Sequence, residues 1–284
     1  MPGFSTIIGR EGTVRRLQST VRSDKVSHAY LIEGESGTGK MLLARIFSQA
    51  LQCERGGGDC CEKCTACRQA EGRNHPDIIY VTHEKPALIS VEEIRQQLVT
   101  NASIRPYSGK YKIYIVEDAQ KMGPQAQNAL LKSLEEPDPG TIFLLTASAD
   151  SSLLATVRSR CRKVALEPWP QADVLRALKA RGIEDSAARA ASELCEGSIG
   201  RALQICGSTD YFSLRDLCCS SFFSVSDPRD VPAAMNRLKD HRQDALTLLE
   251  QAEHILATGK ADIVAMAKAL MADDRMIVKG ERGQ

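Results

Sequence analysis

The glycine-rich stretch from Gly34 to Lys40 is the part of this sequence that most restricts the fold. An apolar run at residues 29–32 precedes it, and the helix-like segment 41–47 follows it. A strand, a glycine-rich turn and a helix N-terminus in that order place backbone N–H groups and a helix dipole around an anion. The order therefore predicts a phosphate loop in which Lys40 reaches the outer phosphates of a nucleotide, with a ligand-free turn as the alternative. The loop residues that would hold the nucleotide are Gly34, Gly37, Thr38, Gly39 and Lys40.

The residue after Lys40 departs from the pattern of a nucleotide-hydrolysing loop. Ser or Thr is expected at this position, because its hydroxyl would coordinate magnesium. This chain has Met41, and a thioether is a poor ligand for a hard cation. The loop is therefore predicted to bind a nucleotide and to be poorly built for hydrolysing one.

Length and composition describe an ordinary water-soluble chain with more than one domain. Its 284 residues are 43% apolar and 26% charged, which is enough for a sizeable core. Neither a membrane-length apolar run nor the layout of a signal peptide is present, so we expect a cytoplasmic protein. With a net charge of +1, any contact with nucleic acid must use a local patch or a partner.

Five of the ten cysteines lie in one segment, residues 53–67, which we call the metal loop. Two consecutive C-x-x-C steps and an upstream cysteine supply the four thiolates of a closed tetrahedral zinc site. Cys60 is the spare thiol, although it could replace Cys61, and four free thiols are the alternative to a metal site. Since no ligand position is left open, the zinc would be structural. The predicted ligands are Cys53, Cys61, Cys64 and Cys67.

Apolar runs alternate with helical patterns after the phosphate loop. The runs lie at residues 78–81, 110–116, 141–146 and 163–166. Strands that alternate with helices predict a right-handed, five-stranded parallel sheet covered by helices on both faces, in the α/β class.

Polar side chains follow two of these runs, where parallel sheets place their ligands. Glu117 and Asp118 end the third predicted strand in the inverse of the usual Asp-Glu order. They are either a degenerate catalytic pair or a solvated strand end. Hydroxyls at Thr146 and Ser148, after the fourth strand, could sense a γ-phosphate.

The composition changes beyond residue 167. No further strand pattern is convincing, and three short helices are predicted before residue 206. We therefore expect a nucleotide-binding domain at 1–167 that contains the metal loop, a helical lid at 168–206, and a helical C-terminal domain at 207–284.

Several segments of the first part of the chain, taken together, resemble one family. They are His28–Leu31, the phosphate loop, the metal loop, Asn74–Asp77, Asn128–Pro137 and Ser159–Cys161. In this order they resemble the clamp-loader AAA+ proteins of bacterial DNA polymerase III, and most closely the delta-prime group. The resemblance implies a hetero-pentamer with gamma/tau-type and delta-type subunits, which uses ATP to load the sliding clamp on primer-template DNA. It also implies that residues 207–284 form an oligomerising collar, for which they are short.

The resemblance assigns roles to individual residues. Gly34–Lys40 corresponds to the Walker A loop, with Met41 as a departure, and Glu117 and Asp118 correspond to an inverted Walker B pair. Sensor 1 falls on Ser148, with Thr146 as the alternative. The arginine finger, which acts on the ATP of a neighbouring subunit, is Arg160. In the lid stretch 197–201, Gly200 stands where an ATPase subunit of the family carries an arginine.

The departures affect this chain's own nucleotide site, whereas Arg160 and its flanks keep the pattern. We therefore expect a non-hydrolysing or weakly hydrolysing subunit of the DNA polymerase III holoenzyme, which activates an adjacent ATPase through Arg160. The alternatives are an active gamma/tau-type ATPase, a zinc-containing nucleic-acid-binding AAA+ module and, on fold analogy, a recombination ATPase.

Overall fold

A computed structural model describes residues 3–83, 88–100, 105–148 and 152–207 of the chain. The predicted C-terminal helical domain at 207–284 lies, apart from its first residue, outside the described residues. The chain divides into two compact units, residues 1–204 and 205–284, and the described residues belong to the first unit except for 205–207.

Five parallel strands form one sheet in the order β2-β3-β4-β1-β5. The strand that leads into the phosphate loop, β1, therefore lies between β4 and β5. The carboxyl ends of all five strands meet at one edge, as the sequence pattern predicted. The strands are β1 Ala29–Gly34, β2 Ile78–Tyr80, β3 Lys112–Val116, β4 Thr141–Ala147 and β5 Arg162–Leu166.

Helices connect the strands and continue after the sheet. A 3₁₀ turn at Phe4–Thr6 precedes the first helix, and a π-helical stretch at Arg95–Val99 continues α4. The helices are α1 Glu11–Ser23, α2 Lys40–Gln52, α3 Thr65–Glu71, α4 Val91–Ile94, α5 Pro124–Glu135, α6 Ala155–Arg158, α7 Gln171–Lys179, α8 Asp185–Leu194 and α9 Ile199–Gly207.

The core lies on both faces of the sheet. Successive β1 side chains alternate between the faces, so Tyr30 packs with Phe47 of α2, whereas Leu31 belongs to the cluster that contains Leu130 of α5. All six residues of β1 are buried, which is typical of a central strand in a parallel sheet. This double covering holds the end of β1, and thus the phosphate loop, at a fixed place.

The predicted α/β class, the parallel sheet and the three short helices after residue 167 are confirmed. A capping box begins α4, since Ser90 Oγ accepts from the Glu93 N–H and Glu93 accepts from the Ser90 N–H. Sequence reasoning missed α3, because its few residues were treated only as metal ligands. Within the described residues, no helix is long and apolar enough to cross a membrane.

Candidate functional site

The phosphate loop joins β1 to α2, and two of its glycines have left-handed backbone conformations. Gly37 has φ 73° and Gly39 has φ 87°, which residues with a Cβ rarely adopt. The Thr38 hydroxyl donates to Glu35 O at 2.7 Å, which fixes the turn from inside. The loop therefore has the shape that the sequence predicted, with Lys40 as the first residue of α2.

The side chain of Lys40 is engaged by the loop itself. Its Nζ donates to Gly34 O at 2.8 Å and to Glu35 O at 2.9 Å. Burial lowers the pKa of Lys40, and the nearby carboxylates of Asp118, Glu35 and Glu117 act in the opposite direction. A phosphate group would have to compete with the two carbonyls for this ammonium group.

The first turn of lid helix α9 rests directly on the phosphate loop. The Gly200 N–H donates to Gly37 O at 3.0 Å. A Cβ at position 200 would lie 2.8 Å from Gly37 Cα, so a side chain has no room there. Glycine at this position therefore permits a backbone contact between lid and loop. Arg201, one residue on, pairs with Glu196 at 2.7 Å.

A cleft of about 180 Å³ lies between the loop, the N-terminal segment and the lid. Ile7 and Ile8 line one side, and Trp169 and Leu203 line another. The Arg10 guanidinium lies 4.2 Å from the centroid of the Trp169 ring. The position of this cleft beside the phosphate loop fits the apolar part of a nucleotide.

Arg10 is a cleft residue that sequence reasoning missed, because it lies outside the recognisable motifs. Its Nη2 donates to Glu167 O at 2.6 Å, at the junction between the sheet and the lid. Burial lowers the pKa of Arg10, and the carboxylate of Glu167 opposes this shift. Arg10 thus ties the N-terminal segment to the start of the lid.

The two acidic residues after β3 have different surroundings. Glu117 is exposed, whereas Asp118 has a left-handed backbone with φ 49°. The Asp118 carboxylate pairs with Lys121 at 3.2 Å and accepts from Gln120 Nε2 at 3.3 Å. Both carboxylates act electrostatically on the Lys40 ammonium group, but the carboxylate of Asp118 is already engaged by neighbouring side chains.

The two candidate sensor hydroxyls also differ. Thr146 is buried, and its Oγ1 accepts from the Asp118 N–H at 3.1 Å. The Ser148 N–H donates to Gln120 Oε1 at 3.3 Å. Gln120, which sequence reasoning missed, therefore bridges the ends of β3 and β4. Ser148 is the more accessible of the two predicted sensor residues.

The structure brings the four predicted metal ligands together. The sulfur atoms of Cys53, Cys61, Cys64 and Cys67 all lie within 4.8 Å of one another. Four sulfurs around a tetrahedral zinc ion are about 3.8 Å apart, so a small contraction would complete the site. Cys61, the predicted ligand, belongs to this cluster, and Cys60 does not.

Local hydrogen bonds support a thiolate at Cys61, whereas burial raises the pKa of Cys67. The Cys64 N–H donates to Cys61 Sγ, and the Cys67 N–H donates to Cys64 Sγ, each at 3.4 Å. Backbone N–H groups of Lys63 and Cys64 lower the pKa of Cys61 to about 6. Burial, with the nearby Asp59, raises the pKa of Cys60 to about 12. The donor set therefore fits a metal ion, and Cys60 is a buried thiol beside it.

The metal loop also holds the start of the described chain. The Gly3 N–H donates to Glu62 Oε1 at 3.1 Å, and the Phe4 N–H donates to Asp59 Oδ1 at 3.0 Å. The side chain of Phe4 is buried in the core cluster that includes Phe47. The metal loop thus positions the segment whose next residues line the cleft.

Arg160 lies between α6 and β5. Its Nη2 is 2.6 Å from Glu135 Oε1, and its Nη1 donates to Thr156 O at 2.8 Å. About a third of its side chain is exposed, with 34% of the surface accessible. Its described partners lie outside the phosphate loop, so Arg160 is separate from this chain's own nucleotide site.

His75 and Asp77, in the predicted family segment, form a structural unit. His75 is buried, and its Nδ1 accepts from the Asp77 N–H at 3.1 Å. The Asp77 carboxylate accepts from the backbone N–H groups of Tyr107, Ser108 and Gly109. The histidine is therefore a buried structural residue.

Comparison with known proteins places the chain in a family. A family model described as "DNA polymerase III, delta subunit" matches residues 9–170. The chain belongs to this family. The prediction of a clamp-loader AAA+ protein is thereby confirmed.

The relatives include delta-prime and gamma subunits. DNA polymerase III subunit delta' of Bacillus subtilis is 35% identical over 156 residues, which are 55% of this chain and 46% of the relative. Subunit delta' of Pseudomonas aeruginosa is 36% identical over 181 residues, which are 62% and 54% of the two chains. Subunit gamma of Buchnera aphidicola is 30% identical over 209 residues, which are 71% and 57%. The matched segment spans about half the length of these curated relatives.

Solved structures agree on the fold. The RuvB Holliday junction branch migration motor of Thermotoga maritima matches with a TM-score of 0.52 at 15% identity. The match covers 95% of this chain and 84% of RuvB. At this identity the similarity shows the α/β AAA+ fold alone.

Proposed function

We propose that this chain is a delta-prime-type subunit of a bacterial clamp loader and that it supplies Arg160 to the ATP site of a neighbouring subunit. The single observation that carries the proposal is a contrast between two sites. In the chain's own site, Lys40 and the lid are already bonded to the phosphate loop, whereas Arg160 lies partly exposed outside that site.

Three features weaken the chain's own site for hydrolysis. Met41 gives no hydroxyl for magnesium. Gly200 leaves no room for the lid arginine that the resemblance places in ATPase subunits. The Asp118 carboxylate is paired with Lys121, at the position where a catalytic base would be needed. Binding of ATP without rapid turnover is the behaviour that these groups support.

An arginine supplied in trans has a large effect on phosphoryl transfer. It neutralises charge that develops in the transition state and is worth about 10³- to 10⁵-fold in rate. Arg160 has the flexible, charged side chain that this role requires, and its partner Glu135 is about half exposed. A solvent-exposed ion pair is weak, at about 0–1 kcal/mol, so a phosphate can replace Glu135 as partner.

The proposed partners follow from the family. They are gamma/tau-type and delta-type subunits in a hetero-pentamer, together with the sliding clamp and primer-template DNA reached through the complex. The named relatives are delta', gamma and tau subunits of DNA polymerase III. We place this function in the cytoplasm, at the nucleoid.

The metal loop is proposed to hold one structural zinc ion through its four clustered sulfurs. When bound, the ion supplies a rigid cross-link and no open coordination position. The metal loop, held rigid in this way, keeps the Asp59 and Glu62 side chains against the backbone N–H groups of Phe4 and Gly3.

Reconstitution of the loader from this chain and its gamma/tau-type and delta-type partners tests the proposal. The variant Arg160→Ala should lower clamp-dependent ATP turnover by at least about 10³-fold without preventing assembly. Arg16→Ala, which removes an exposed arginine of α1, is the matched control and should leave turnover unchanged. Normal turnover with Arg160→Ala in an assembled complex would refute the assignment.

An active ATPase subunit of the gamma/tau kind is the second candidate. The glycine loop, Lys40 and the adjacent cleft favour nucleotide binding by this chain. Magnesium-dependent hydrolysis by the isolated chain, abolished by Lys40→Ala, would favour this candidate over the delta-prime type.

A further inference from the structure

Glu33 is a buried carboxylate at the edge of the sheet where the phosphate loop begins. Only 3% of its surface is accessible, although its neighbours in β1 are apolar. A carboxylate in such a place is stable only when cations or hydrogen-bond donors compensate its charge. Its partners therefore indicate what the residue does.

Two cations from one short segment pair with Glu33. Arg158 Nη2 lies 3.2 Å from Glu33 Oε1, and Lys163 Nζ pairs with Glu33 Oε2. In the β1–β5 register Leu31 is opposite Lys163, so Lys163 and Glu33 share one face of the sheet. One carboxylate thus holds both ends of residues 158–163, which we call the arginine segment.

Arg160 lies inside the arginine segment, two residues after the first cation and three before the second. Its own side-chain partner, Glu135, is about half exposed, and an exposed pair of this kind holds a side chain weakly. The pairs with Glu33 are different, because the carboxylate is buried. Arg158 is 36% exposed and Lys163 is 56% exposed, but the buried carboxylate depends on both for charge compensation, so the two pairs together hold the segment more firmly than the single pair with Glu135.

We propose that Glu33 is a positioning residue for Arg160. Glu33 fixes both ends of the arginine segment to the rigid strand β1. It thereby sets the position at which the Arg160 guanidinium contacts the phosphates of ATP bound to the neighbouring subunit. This inference rests on the proposed function of Arg160 in trans. Because Glu33 immediately precedes Gly34, the strand that carries the chain's own phosphate loop also sets the place of Arg160.

The variant Glu33→Gln keeps the size of the side chain and removes its charge. In the reconstituted loader it should lower kcat for ATP by about 10- to 100-fold, the usual effect of a misplacement near 1 Å, with KM for ATP little changed. In the Arg160→Ala background it should have no further effect on kcat, because the two residues act as one unit. Glu193→Gln, at an exposed carboxyl of the lid, is the matched control.

A second variant tests the inference in case Glu33→Gln prevents the chain from folding. Because Lys163 is 56% exposed and Arg158 still pairs with Glu33, Lys163→Gln should keep the chain folded and still lower kcat in the same direction. Restoring the charge with Lys163→Arg should recover most of the rate.

Two results would overturn the inference while the proposed function stands. One is unchanged kcat for both Glu33→Gln and Lys163→Gln in a loader that Arg160→Ala inactivates. The other is an equal loss from Glu33→Gln with and without Arg160. If Arg160→Ala itself has no effect, the proposed function fails and the inference fails with it.

Discussion

Because the lid contacts the phosphate loop, we expect that a methyl group added at Gly200 will separate the lid from the phosphate loop. In the structure the Gly200 N–H donates to Gly37 O at 3.0 Å. A Cβ at position 200 would lie 2.8 Å from Gly37 Cα, whereas ordinary contacts begin at 3.4 Å. The substitution Gly200→Ala must therefore separate lid and loop by about 0.6 Å, which lengthens the hydrogen bond to about 3.6 Å and breaks it.

The free energy of this change sets the size of the effect. Loss of one such hydrogen bond, with some strain, destabilises the closed arrangement by about 1–2 kcal/mol. If the nucleotide binds only when the lid has left the loop, the apparent affinity rises by the same free energy, or about 5- to 30-fold. Alanine favours a helix by up to about 1 kcal/mol over glycine, so the overall stability changes less than the affinity does.

Titration calorimetry with ATP and magnesium would measure this gain. Gly12→Ala is the matched control, because it also adds a methyl group to a helix, with no atom within 4 Å of the new carbon. The gain should disappear when Lys40→Ala is added, since the released ammonium group is needed to hold the phosphates. Equal affinity of Gly200→Ala and the parent chain would refute the reasoning.

Three further predictions concern the supports of the site. Asp77→Asn should lower the free energy of unfolding by about 2–4 kcal/mol at pH 7 by denaturant titration, because an amide cannot accept all of the backbone N–H groups. Burial would raise the pKa of Asp77, but these backbone donors lower it. The stabilisation by Asp77 is therefore present above about pH 4 and is lost as the pH falls further, so Asp77→Asn should weaken the pH dependence of the free energy of unfolding in acid. Cys61→Ser should reduce bound zinc well below one equivalent by metal analysis, whereas Cys60→Ser should retain it; equal loss would contradict the assigned ligand set. Arg10→Ala should shift the emission of Trp169, the single tryptophan, to longer wavelength and lower stability by about 1 kcal/mol, and an unchanged spectrum would argue against their stacking.

Patterns within short segments of the sequence were sufficient to predict much of the fold. Apolar runs separated by helical patterns predicted the parallel sheet, because each strand and helix has its own periodicity. The spacing of glycines before Lys40 predicted the phosphate loop, since its shape depends on local backbone conformation. Each of these features involves residues that are close together in the sequence.

The metal loop combines a local sequence pattern with contacts that only the folded loop shows. Spacing named Cys53, Cys61, Cys64 and Cys67 but left Cys60, which is adjacent in the sequence, as a possible replacement for Cys61. The folded loop makes the choice, because backbone N–H groups are directed at Cys61 while Cys60 is turned towards Asp59.

The sequence by itself determined the class of fold, the phosphate loop and the departure at Met41, since these depend on residue type and near-neighbour spacing. Only the tertiary structure decided that Gly200 contacts Gly37 and that Glu33 holds the arginine segment. These contacts join residues more than a hundred positions apart, and their free energies exist only after the sheet has brought the residues together. An isolated glutamate in an apolar strand or a glycine in a lid helix gives no sign of its partner before the chain has folded.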